Sequence, residues 1–207
     1  MDLAELPFSE ACERNRGPIL AILRTAFADR SRVLEIGSGT GQHAVYFAAS
    51  MPWLQWQPSE RRPLLKDLGA RIALQGTPNL LPPLELDVAD RAWTRPTDVP
   101  PPGWDAVFTA NTLHIVSQSE VEQLFLGARR ALGPRALLAA YGPFRYRGHY
   151  TSDSNARFDA MLRARDPDSG IRDAEWVDSV AGGQGFTLLA DHAMPANNQL
   201  RLWRRGA

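Results

Sequence analysis

The feature that most narrows the fold is the run VLEIGSGTGQH, from Val33 to His43. A short apolar strand runs directly into glycines at 37, 39 and 41, and a helical run opens at once behind them. Glycine permits positive φ there and lets the backbone come close to whatever lies above the loop. The first turn of the following helix presents backbone N–H groups with no partner inside the helix. A strand, a glycine turn and a helix in that order open a sheet of the α/β class, whose ligands bind outside the carboxyl ends of the strands.

The rest of the chain alternates in the same way. After the first strand (Ser31 to Ile36), strands are predicted at Trp53–Pro58, Leu84–Val88, Asp105–Ala110 and Arg135–Tyr141. Helical runs separate them at Gln42–Ala49, Pro63–Gln75 and Val121–Leu132, the last behind a capping-box pattern at Ser117 and Glu120. A helix is expected at Asn155–Arg165 within a polar stretch, and Pro18 is expected at the first position of an N-terminal helix. Phe186–Met194 and Leu200–Arg205 read as an antiparallel pair joined by a turn at residues 195–198, where asparagine tolerates left-handed backbone. The proline-rich patch Pro96–Pro102 reads as a stiff connector, too short to be a linker between domains. One domain over residues 1–207 is expected, with an N-terminal cap at 1–30 and a substrate lid at 145–182.

The glycine spacing discriminates between cofactors. A dinucleotide fingerprint needs a third small residue five places after Gly37, and Gln42 stands there. The pattern is instead E-x-G-x-G-x-G from Glu35, which resembles motif I of class I S-adenosylmethionine (SAM) methyltransferases. No phosphate-loop, hydrolase-elbow or metalloprotease motif is present. Glu60 follows the second strand, where an acid would bond ribose hydroxyls. Asp87 ends the third, where the resemblance to class I enzymes implies a bond to the adenine amino group, and Val88 beside it is a candidate to pack on the ring face.

Beyond motif I, stretches along nearly the whole chain resemble the methyltransferase-like family known as domain of unknown function 938. They are ACERNRGPIL (11–20), EIGSGTGQHAVYFA (35–48), WQPSE (56–60), ANTLHI (110–115), YGPF (141–144), TSDSNARFDAMLRARDPDSGIRD (151–173) and MPANN (194–198). The resemblance implies a class I methyltransferase fold, a seven-stranded, mostly parallel sheet of order 3-2-1-4-5-7-6 with an antiparallel C-terminal hairpin. It also implies SAM as cofactor. It supplies no acceptor, because the family is named for lacking one. Glu60 is one methylene longer than the aspartate usual at that place.

Methyl transfer from a sulfonium needs positioning and desolvation more than acid–base chemistry. Asn111, after the fourth strand, resembles the motif IV position and is a candidate both for the cofactor's amino group and for the acceptor. His114 is a candidate base, and Tyr141 a candidate donor to the acceptor, with Phe144 sheltering the sulfonium. Asn15 belongs to a segment expected to fold over the cofactor, and Arg16 is a candidate partner for its carboxylate or for an acidic substrate. His43, opening the helix after the glycines, is expected at the methionine end. Arg163 and Arg172 are candidate acceptor contacts in the lid; the alternative is an Arg–Asp network that only fastens an inserted helix.

Composition closes off other classes. Lys+Arg and Asp+Glu are both 23, which argues against a non-specific nucleic-acid binder. Cys12 is the only cysteine, so neither an internal disulfide nor a zinc site on paired cysteines can form, and no metal is expected. The N-terminal residues are acidic without an apolar core, and the longest apolar run, Ala136 to Tyr141, is far too short to span a bilayer. A cytoplasmic enzyme, monomeric or homodimeric, acting on a small or medium-sized molecule is the expectation. A SAM-binding module without catalysis that acts through a protein partner, and a nicotinamide-dependent oxidoreductase, are the alternatives.

Overall fold

Strands buried on both faces dictate the architecture. In a computed structural model, which describes residues 5–90 and 103–207, β1 (Arg32–Ile36), β2 (Gln55–Glu60), β3 (Leu84–Glu85), β4 (Trp104–Ala110) and β5 (Leu132–Gly142) run parallel. The connector expected at 96–102 and the first four residues of the cap lie outside the described residues. Three short strands, β6 (Phe144–Tyr146), β7 (His149–Tyr150) and β8 (Arg172–Asp173), form a small separate sheet in the order β7-β6-β8. β9 (Phe186–Met194) and β10 (Asn198–Arg205) then return to the main sheet, β10 lying antiparallel between β5 and β9. The main sheet has the order β3-β2-β1-β4-β5-β10-β9, which is 3-2-1-4-5-7-6 counted over its own seven strands. This is the class I methyltransferase fold.

Helices α1 (Glu10–Ala26), α2 (Gln42–Ser50) and α3 (Leu65–Gln75) pack on one another on one face; α4 (Gln118–Ala131) covers the other. Helix α5 (Asp153–Arg165) stands against β7, and α6 (Ala174–Gly183) packs beside α4. Successive strand residues feed opposite cores. Val33, Ala106, Phe108 and Ala139 meet Ile19, Leu23 and Phe47, whereas Leu34, Val107, Leu138 and Ala140 meet Leu124, Phe125 and Val177. Truncating any of these large side chains to alanine would cost about 2–5 kcal/mol. No helix of the described residues is long and apolar enough to cross a membrane.

Three expectations are corrected. Pro18 sits inside α1, not at its start, because Ser9 caps the helix by accepting from Cys12 N, with Glu10 and Glu13 in the first turn. Gly17 eases this, since a proline clashes with the Cβ of the residue before it and glycine has none. The third strand pairs over Leu84–Glu85 only, and Asp87–Val88 continue as a turn in which Ala89 N donates to Asp87 Oδ1 at 3.0 Å. The polar stretch around the expected helix, Tyr146 to Ile171, read as loop-rich, contains β7 and is flanked by β6 and β8 of the small sheet. The turn at 195–198 forms as expected, with Asn197 at φ 57°.

Candidate functional site

All three glycines after β1 adopt left-handed backbone, with φ of 71°, 53° and 77°. Their surroundings differ. A Cβ on Gly37 would meet Thr112 Oγ1 at 2.8 Å and one on Gly41 would meet Leu68 Cδ1 at 2.7 Å. At Gly39 a Cβ would meet nothing within 4 Å. The first and third glycines therefore serve packing, and the second faces open space. The loop is tied to the end of β2: Ser38 N donates to the Ser59 carbonyl at 3.0 Å, and Gly39 N to Glu60 Oε2 at 2.8 Å.

Glu60 is the last residue of β2, and its other oxygen accepts from Arg61 N at 2.8 Å. Beside it a slot is lined by Ile36, Gly37, Leu86, Asp87, Val88 and Val116, among others. Its volume is about 40 Å³. Glu35 does not face this space. It is 1% exposed, accepts from Trp56 Nε1 at 2.8 Å and is held by the Ser38 hydroxyl. Burial raises its pKa from 4.5 to about 7, so near neutrality the carboxyl is only partly ionised. Its bond to the Ser38 hydroxyl ties it to the glycine loop, which it braces from β1.

A second hollow, of about 660 Å³, opens past the ends of β4 and β5. Its walls include Asn15, Asn111, His114, Ile115, Tyr141, Phe158 and Asn198. Asn111 is held at φ 58°, with its N–H donating to the Tyr141 carbonyl at 2.8 Å. Tyr141 shares a hydrogen bond with the Asn15 side chain, and burial raises its pKa, which keeps its hydroxyl protonated. Asn15 Oδ1 lies 2.7 Å from His43 Nε2. His43 is buried, stacked on Phe47, and desolvation with the nearby Arg16 charge lowers its pKa to about 4. It thus supports Asn15 from below instead of reaching the open space. His114 is buried edge-on against Phe158, and desolvation and Arg172 likewise lower its pKa to about 4.

The structure moves four further candidates away from this hollow. Arg16 is one residue, or about 100° of helix, beyond Asn15; it pairs with Glu13 and lies 4.5 Å over the Tyr46 ring, on the outer side of α1. Phe144 is buried in the core, with the Arg201 guanidinium 5.3 Å over its ring. Arg172 is 4% exposed and donates to the carbonyls of Leu113, Val116 and Asp168, so it clamps the loop that carries His114. Arg163 donates to Asp159 Oδ2 at 2.8 Å. Asp159 also accepts from the Tyr150 hydroxyl and from Ile171 N, so the segment after β7 is fastened by a polar network of the kind given as the alternative to a lid. Sequence reasoning missed Ser9, Arg14 and Phe158 as lining residues of the hollow. Starting α1 at its Ser9 cap would have put Ala11, Arg14 and Asn15 together on one face.

The fold recurs widely among solved structures. It superposes on the apo form of the SAM-dependent methyltransferase SibL with a TM-score of 0.76 at 24% identity, covering 95% of this chain and 56% of that one. Against mitomycin 7-O-methyltransferase MmcR the TM-score is 0.80 at 16% identity, covering 95% and 54%. Against human N-acetylserotonin methyltransferase, solved with SAM, it is 0.78 at 13% identity, covering 96% and 53%. The chain thus spans little more than half the length of these proteins. A family model described as protein of unknown function (DUF938) matches residues 6–205, nearly the whole sequence, and the chain belongs to that family.

Proposed function

We propose that this protein transfers a methyl group from SAM to a small or medium-sized acceptor. One juxtaposition carries the reading: the open face of Gly39 beside the Glu60 carboxylate, and the Asn111–Tyr141 hollow, stand at the same carboxyl edge of the sheet. The residues fit the cofactor's chemistry. Each Glu60 oxygen is engaged by one backbone N–H and retains acceptor capacity for a ribose hydroxyl. Asp87 and Val88 line the slot beside Glu60, and on this reading they meet the adenine amino group and ring face. The turn after β3, outside the strand ladder, forms one wall of that slot.

Bound there, SAM supplies an already activated methyl, so the chain's share of the chemistry is orientation and exclusion of water. Asn111, fixed in an uncommon backbone conformation, offers an amide at the boundary between the two spaces. Tyr141 and Asn15 present neutral hydrogen-bonding groups to the acceptor side. The three structural neighbours, each named as a methyltransferase, agree with this reading.

Calorimetric titration with S-adenosylhomocysteine, NAD and NADP tests the cofactor. Binding of the first alone is expected, and binding of a dinucleotide in its place would refute the reading. Release of S-adenosylhomocysteine over a panel of acceptors then tests catalysis; tight binding without turnover of any of them would make the protein a SAM-binding module.

A further inference from the structure

The lining of the hollow past β4 and β5 limits which acceptors it can serve. Among the described residues, no carboxylate lines it. Acids close by in the fold are committed elsewhere. Asp159, 2% exposed, is filled by Tyr150, Arg163 and Ile171 N. Glu35 is buried under the glycine loop against Trp56, and Glu10 pairs with Arg14 in solvent. The imidazole in the lining, His114, is wedged against Phe158 with the buried Arg172 guanidinium behind its loop. Both burial and that charge hold it neutral, which makes it a poor proton acceptor. What the lining does offer is neutral polar groups, from Asn15, Asn111, Asn198 and Tyr141, with the Arg14 cation among the lining residues. Such a site can stabilise a negative charge but cannot create one.

Resting on the methyltransferase reading above, we propose that the acceptor is a small molecule bearing a group that ionises by itself near neutral pH, a thiol or an acidic phenol, and that the hollow receives it as the anion. The acceptor's S–H or O–H proton leaves to solvent before transfer. A lone pair on the anion then forms the new bond to the methyl carbon as the bond from that carbon to the sulfonium breaks. The electron pair of the broken bond stays on the departing thioether sulfur, so charge and atoms balance without a protein base. Ile115 and Phe158 give the hollow apolar walls that suit an aromatic or similarly apolar body on the acceptor.

The test uses the full chain with SAM and four probes: thiophenol, 4-nitrophenol, phenol and benzyl alcohol. Release of S-adenosylhomocysteine is followed from about pH 5 to about pH 10. Thiophenol or 4-nitrophenol, or both, should be methylated, the arm that responds telling sulfur from oxygen. The rising limb of kcat/KM should move with each acceptor's own pKa. Benzyl alcohol should fall short by about 10²–10⁴-fold, the contribution a positioned base would supply. A single inflection common to all acceptors, or benzyl alcohol turned over within about tenfold of 4-nitrophenol, would overturn the proposal by revealing a protein base. So would no turnover of any ionising probe while S-adenosylhomocysteine still binds, which leaves the cofactor reading standing. Failure of S-adenosylhomocysteine to bind at all would overturn both.

Discussion

Glu35 offers a measurement that separates bracing from ligand contact. Its carboxyl is buried beneath the glycine loop, and its pKa is raised from 4.5 to about 7, chiefly by desolvation. A folded pKa above the unfolded one means that the folded state binds the extra proton. Stability is then complete below pH 4.5 and is lost as pH rises through 7. The 2.5-unit gap, at about 1.4 kcal/mol per unit, makes the loss about 3 kcal/mol. Glu35→Gln removes the ionisation and keeps a carbonyl oxygen for the Trp56 indole N–H, now 2.8 Å from Oε2. The variant should therefore gain on the wild type by about 3 kcal/mol between about pH 4.5 and pH 8.5. At the scale of a chain this size that is about 6–12 °C in Tm. Urea unfolding of both proteins at several pH values measures the difference, in which titrating groups not coupled to Glu35 cancel. A difference independent of pH would refute the argument and place the Glu35 charge in contact with solvent.

Three further outcomes follow from the same geometry. Because the folded pKa values of His43 and His114 are depressed from 6.5 to about 4, stability present above 6.5 is lost as pH falls towards 4; in the Glu35→Gln background, urea unfolding at pH 5 should show about 4 kcal/mol less than at pH 7. Gly39→Ala should keep the wild-type far-UV dichroism, at a left-handed strain cost of about 1–2 kcal/mol, yet weaken S-adenosylhomocysteine binding at least about tenfold by calorimetry, because its Cβ enters the open space proposed for the cofactor. Glu60→Gln can still accept from Gly39 N but loses its charge, so affinity should fall by about 1.5–3 kcal/mol, or about 10- to 150-fold; a change under about twofold would mean that the ribose is held elsewhere.

Features written in consecutive residues were legible in the sequence. The strand–glycine–helix unit, the capping box at Ser117 and Glu120, and the left-handed Asn197 all depend on neighbours within a few positions, and all formed. The sheet order was legible only through the family resemblance, since no local pattern orders strands. Where two local rules competed, the weaker one misled: Pro18 signals a helix start, but Ser9 with Glu10 and Glu13 signals an earlier one, and capping decided it. That shift of helix start also sets which of Asn15 and Arg16 turns inward. The burial of Arg172 and Phe144 could not be read, because it is created by β6 and β8 pairing across nearly thirty residues, through strands of two or three residues that leave no periodic trace.

Gln42 joins the two halves of the site. In sequence it is the residue that breaks the dinucleotide pattern, a bulky amide where that pattern needs a small residue for close helix–strand packing. In the structure its side chain is spent on α1. Its oxygen accepts from Ser9 N at 2.6 Å and from the Thr40 hydroxyl at 3.0 Å, while its Nε2 donates to Glu13 at 2.9 Å and to the Ser9 carbonyl at 3.3 Å. Arg71 completes the tie, donating to the carbonyls of Thr40 and Pro7. The end of the glycine loop is thereby lashed to the segment that caps α1, and α1 carries Arg14 and Asn15 to the hollow past β4 and β5. Asn15 in turn rests on His43, the residue next to Gln42. One amide thus both narrows the loop's choice of cofactor and fixes a wall of the hollow where the acceptor would sit. A small residue at 42 would relax the first constraint only by releasing the second.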